Sequence, residues 1–200
     1  MKQKGIGTLV IIGIIFIVSV IAIAGVVSYL KGKQNLVTKD VSEMMLTSGD
    51  LSGIFSDTEE NRAIGPSEAA EKMEPHSVTM WRNWDFEEHL LRMWTEKDKI
   101  WLTACDVFKF SSIEGAEKFY QYRWEYESEG SKTLEVYPMS EPIGSESFLI
   151  SGELNLPALD IYEDIAAIWF RKNNIVVNIT CEGSIAKVKE YARIVESRIP

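Results

Sequence analysis

Histidine and cysteine are scarce, with two of each in 200 residues. His76 and His89 belong to no H-E-x-x-H pair and no Cys/His cluster, so neither a zinc enzyme nor a structural zinc site is expected. G-x-S-x-G, a glycine-rich phosphate loop and G-x-G-x-x-G are all missing, which removes the common signatures of serine hydrolases, nucleotide binding and dinucleotide binding. No cofactor and no metal are therefore expected. Charge of one sign is also missing from part of the chain. Residues 1–39 hold five lysines and no acid, and Gly5 to Leu30 has no charged residue at all. The remainder carries 16 bases against 30 acids, a net charge of −14. A surface of that sign repels phosphate, so nucleic acid is not expected as a partner. Disorder is excluded as well, because six Trp, seven Tyr and eight Phe can fill a core.

What the chain does have first is an apolar run. GIGTLVIIGIIFIVSVIAIAGVVSYL, residues 5–30, would be about 39 Å long as a helix at ~1.5 Å per residue, enough to cross a hydrocarbon core of about 30 Å with some tilt. Tyr29, Lys31 and Lys33 suit the far interface. The expected partner is therefore a lipid bilayer, through residues 5–30. Residues 1–4 read as a cytoplasmic tail and 31–45 as a stalk. An uncleaved signal-anchor is one reading. Cleavage after Ala22-Ile23-Ala24 is a second, and prepilin-type cleavage after Lys4-Gly5, leaving Ile6 first, is a third. All three place residues 40–200 outside the cytoplasm. The Lys-Gly-apolar start is similar to that of archaeal type IV pilin-like signal anchors, although Val10 stands where pilins commonly carry Glu.

Residues 46–200 read as one α+β domain. Gly65-Pro66-Ser67 opens a short helix over 68–73. Strands are expected at His89–Trp94 and Ile100–Phe110, followed by a helix that Ser111 and Glu114 cap as a box. Thr133–Tyr137 and Ser147–Gly152 are further strands. Ala166–Phe170 and Ile175–Cys181 form a hairpin around Arg171-Lys172-Asn173-Asn174. Gly183-Ser184 then starts a helix with Ile185, Val188, Ala192, Val195 and Ile199 on one stripe. Hairpin then helix, twice, predicts an antiparallel sheet of two β-hairpin–helix units with helices packed on a face, preceded by a transmembrane helix.

Candidate site residues are few. Cys105 and Cys181 occupy matching places late in their strands, which allows a disulfide outside the cytoplasm or two buried thiols. Trp81, Trp84 and Trp94 form either a binding surface or core. Asn178-Ile179-Thr180 is a glycosylation sequon set inside a strand pattern. Ser184-x-x-Lys187 matches S-x-x-K, but a helix N-cap explains Ser184. Glu153, Asp160, Glu163 and Asp164 lie in a segment read as an acidic loop, without EF-hand spacing.

Phe110-Ser111-Ser112, Gly115-Ala116, Ile143 to Ser147, Arg171 to Val177 and the closing amphipathic helix complete a pattern. It resembles the single-span, extracytoplasmic prokaryotic proteins, archaeal ones especially, that have no assigned activity. The function expected is a membrane-anchored binding or interaction module without catalytic residues. A pilin-like structural subunit and an extracellular hydrolase are the alternatives.

Overall fold

The fold rests on a sheet whose inner strands carry apolar residues on both faces. The computed structural model describes residues 36–51, 55–73, 78–96, 102–130, 134–156 and 161–200. Its strands are β1 (Phe55–Ile64), β2 (Phe86–Glu96), β3 (Leu102–Phe110), β4 (Leu134–Pro138), β5 (Glu146–Leu156), β6 (Ile161–Lys172) and β7 (Ile175–Glu182). Its helices are α1 (Gly65–Lys72), α2 (Val78–Asn83), α3 (Ile113–Gly130) and α4 (Ile185–Arg198). The strands make one sheet in the order β1-β2-β3-β7-β6-β5-β4, and every neighbouring pair is antiparallel.

Both faces of this sheet are covered, as the period-2 alternation requires when each face carries apolar side chains. On one face Val107, Ile168, Phe170, Val177 and Ile179 pack against Val188, Tyr191, Ala192 and Val195 of α4. Val37, Val41, Met44, Met45 and Leu46 join the same core. On the other face Phe108, Phe110, Phe148, Trp169 and Val176 pack against Ala116, Phe119 and Tyr120 of α3, with Ala69 and Ala70 of α1 and Trp81 of α2.

The expected fold class is corrected by this arrangement. The chain does not form two hairpin–helix units with helices on one face. It forms a single seven-stranded sheet in which β3 pairs directly with β7, so the two hairpins are halves of one sheet. The helices lie on opposite faces: α3 crosses over β3, β7, β6 and β4, while α4 packs on β6 and β7, its own hairpin, from the other side. No helix among the described residues is long and apolar enough to cross a membrane. The spanning helix expected over 5–30 therefore has no counterpart among them, and residues 5–30 themselves lie outside the described residues.

Two local readings also change. The acidic stretch 56–62, for which no element is read from the sequence, forms the edge strand β1. Its charges suit an unpaired edge: Arg62 pairs with Glu88 and Glu60 with Arg92 across to β2. The segment that contains Pro157 is flanked by long strands, with Glu153 opposite Asp164. The compact unit begins at Val37 rather than at residue 46, because the polar stretch read as stalk carries buried anchors. Asn174, itself buried, explains the capture: its Oδ1 accepts the Val37 N–H at 2.6 Å and its Nδ2 donates to the Phe110 carbonyl at 2.6 Å.

Candidate functional site

The connection between β4 and β5 is where the structure builds a hollow. Pro138 ends β4, consistent with an edge strand that can spare a backbone donor. The chain then turns through Met139 to Ser145 and is pinned at four points. Met139 N–H donates to the Ser147 carbonyl at 3.1 Å and Ser145 N–H to the Arg171 carbonyl at 2.8 Å. Ile143 N–H donates to Ser147 Oγ at 2.9 Å and Gly144 N–H to Glu196 Oε1 at 2.8 Å. Gly144 has a left-handed φ of 67°, and a Cβ there would lie 2.4 Å from the Arg171 carbonyl oxygen. Only glycine fits this approach.

Between this pinned loop and α3 lies a hollow of about 330 Å³, with Tyr120, Trp124, Phe148, Pro138, Met139 and Pro142 among its walls. Phe148 forms the floor, its ring 5.1 Å from Trp124 in edge geometry and 5.4 Å from Tyr120. Gln121, Ser145, Glu146 and Ser147 supply polar atoms to the lining. Burial pushes the Tyr120 phenol above its usual range, and nearby Glu146 adds to the effect, so the ring stays neutral. Glu146 is committed to Arg171 at 2.5 Å, and Arg171 also reaches Glu117 at 3.3 Å. The result is an apolar, aromatic cavity with a few oriented polar groups, the usual composition of small-molecule sites.

The residues singled out from sequence fall elsewhere. Trp81 and Trp94 are buried core residues. Trp81 lies among Trp84, Phe86 and Phe119, with the Phe86 ring at 4.9 Å, and Trp94 belongs to the core on the opposite face. Of the two readings, core and not binding surface describes these tryptophans: α2 turns Trp81 inward, and strand alternation buries Trp94. Trp84 is buried too, yet it borders a shallow depression on α3 with Tyr122, Gln121 and Glu117. Trp124, on α3, is the tryptophan that lines the aromatic hollow. Its exposure depends on a loop far along the chain, which helical periodicity does not encode.

Cys105 and Cys181 are free, buried thiols on adjacent strands. Cys105 faces Ile179 across the ladder, which leaves Cys181 two residues out of register. Of the two readings, the pair matches two buried thiols and not a disulfide. Burial pushes the thiols up to about 12 for Cys105 and about 11 for Cys181, so neither is a nucleophile near neutral pH. Asn178 lies on the central strand β7, is buried, and accepts a hydrogen bond from Thr180 Oγ1 at 2.9 Å. The folded domain does not present it for glycosylation.

His89 is buried against Phe108, with ring centroids 4.4 Å apart, and its Nε2 lies 3.0 Å from Asp106 Oδ1. His76 and Asp160 lie outside the described residues. Ser184 caps α4, accepting the Lys187 N–H at 3.4 Å. At the start of α3 the cap is Ser112 instead of Ser111: Ser112 Oγ accepts the Gly115 N–H at 3.0 Å, while Ser111 hydroxyl donates to the Asp85 carbonyl. Among the described residues no group of three or more His, Cys, Asp or Glu side chains could hold a metal ion.

The fold and hollow together define an antiparallel sheet domain, sheathed by helices on both faces, with an aromatic-lined cavity at one sheet edge. A solved structure with this fold is the extracellular domain of PknH from Mycobacterium tuberculosis, which matches at a TM-score of 0.52 and 12% identity over 82% of this chain and 98% of that one. At that identity the likeness concerns the fold alone. No family model and no curated protein matches the chain.

Proposed function

We propose that this chain is an extracytoplasmic binding module, held at a membrane through the apolar run 5–30, that takes a small apolar or aromatic ligand between α3 and the β4–β5 connection. The observation that carries the reading is the hollow itself: three aromatic side chains, Tyr120, Trp124 and Phe148, converge beside a loop that four hydrogen bonds hold in place. A wall that does not need to be ordered on binding spares the ligand that entropic cost. The apolar run at 5–30, the acidic remainder and a fold shared with an extracellular domain support the location.

Two measurements test it. A panel of small aromatic compounds should raise the melting temperature of the full chain in detergent, and Trp124→Ala should abolish the rise. A panel without effect, or one whose effect survives that substitution, would overturn the binding site. For location, a cysteine introduced at exposed Glu129 should react with a membrane-impermeant maleimide on intact cells. Labelling only after lysis would overturn the extracytoplasmic placement.

A further inference from the structure

A second hollow, of about 230 Å³, lies against the other side of the same loop, lined by Tyr137, Ser140, Glu141, Ile143, Lys189 and Arg193 together with Pro138 and Met139. Pro138 and Met139 also line the aromatic hollow, so the two cavities share one wall at the edge of the sheet. Their chemistry differs. The aromatic hollow has no basic lining residue, whereas the second takes Lys189 and Arg193 from α4.

The cations are not equivalent. Arg193 Nη1 is held by Glu196 at 2.9 Å, and Glu196 also accepts the Gly144 N–H. That carboxylate therefore fixes Arg193 to the loop while neutralising it. Lys189 is exposed and has no ion pair or hydrogen bond among the described residues. In a chain with 30 acids against 21 bases, an unpaired lysine facing a hollow is a localised positive site on a mostly negative surface. Glu141 on the same wall limits the net charge a ligand can bring, which favours one negative charge over two.

From this juxtaposition we infer that the ligand is a monoanionic amphiphile: an aromatic or branched apolar body in the Tyr120–Trp124–Phe148 hollow, and a carboxylate reaching over the Pro138–Met139 wall to Lys189. The inference rests on the binding reading above and adds the ligand's class. Lys189 supplies a charge-assisted hydrogen bond, the partly committed Arg193 adds positive potential, and the aromatic floor supplies apolar area. Met139 touches both compartments and reports on both.

The test uses the full chain in detergent, labelled with ¹³C at methionine methyl groups, with the Met139 signal assigned through Met139→Leu. The probes are 4-phenylbutyrate and its neutral counterpart 4-phenylbutanol, with free concentrations fixed by equilibrium dialysis. Both should shift the Met139 methyl, and the acid should bind about tenfold tighter, the factor expected of one charge-assisted contact. Lys189→Gln should erase the preference for the acid and leave the affinity for the alcohol unchanged. Equal affinities for the two probes, or an acid preference that persists in Lys189→Gln, would overturn the anionic-head inference and leave the aromatic hollow standing. Failure of both probes to move Met139 would overturn the hollow as a binding site, and the inference with it.

Discussion

Asn174 does more than occupy a turn. It is the second residue of the two-residue link between β6 and β7, after Asn173, whose φ of 58° suits asparagine. Its amide serves both backbone groups of Val37 and the carbonyl of Phe110. All these contacts are buried, so truncation leaves backbone polar groups without water or partner. Asn174→Ala should cost about 3 kcal/mol, whereas Asn173→Gly, which keeps the turn, should be close to neutral. Urea unfolding followed by tryptophan fluorescence distinguishes them; equal losses would show that the turn geometry, not the clamp, sets the effect. Asparagine in a turn was legible in the sequence. Its contact with Val37, 137 positions away, was not, because a side-chain amide leaves no periodic trace.

At the scale of elements, legibility followed amphipathicity. The β6–β7 hairpin, α4 and the β2–β3 pair have strong alternation or a clear helical stripe and form where expected, although β6 begins at Ile161 and not at Ala166. β1 was missed because an edge strand is protected by charge, so FSDTEENRAI shows no apolar alternation to mark it as a strand. The 37–46 segment was missed because its anchors are few and packed by short 3₁₀ turns, which lack a strong repeat. The start of α3 shows how one small residue sets an element's position. A Cβ on Gly115 would lie 1.8 Å from the Trp84 carbonyl oxygen, so the helix can approach the α2–β2 corner only without a side chain there. Gly115→Ala should gain helix propensity of under about 1 kcal/mol and lose about 2–3 kcal/mol to the forced displacement. A net loss of stability is expected in thermal unfolding, and a stabilised variant would contradict the close approach. Because α3 also carries Tyr120 and Trp124, the same substitution should weaken ligand-induced shifts in melting temperature.

Across the whole molecule, the acidic surplus and the carboxylates that fasten one layer to another respond to pH in opposite ways. Protonating exposed acids relieves repulsion, but at physiological salt that repulsion is screened beyond about 8 Å. Asp50 and Glu196 are different. For both, burial pushes the carboxyl up, and hydrogen bonds outweigh it: Arg198 and Thr47 hold Asp50 below 3.8, and Gly144 and Arg193 hold Glu196 below 4.5. A carboxylate held lower in the folded than in the unfolded chain contributes stability that is complete above its unfolded value and disappears as pH falls through the folded one. These two groups tie the N-terminal segment to α4 and α4 to the β4–β5 loop, so their protonation loosens the layer carrying Lys189. Stability should therefore be level from pH 7 to about pH 5 and fall below about pH 4.5. Asp50→Asn should be less stable at pH 7 but show a shallower decline, since one of the titrating fasteners is gone. Urea midpoints measured from pH 7 to pH 3 at 150 mM salt check this, and a variant whose profile runs parallel to the parent's would place the acid sensitivity in the exposed surface charge instead.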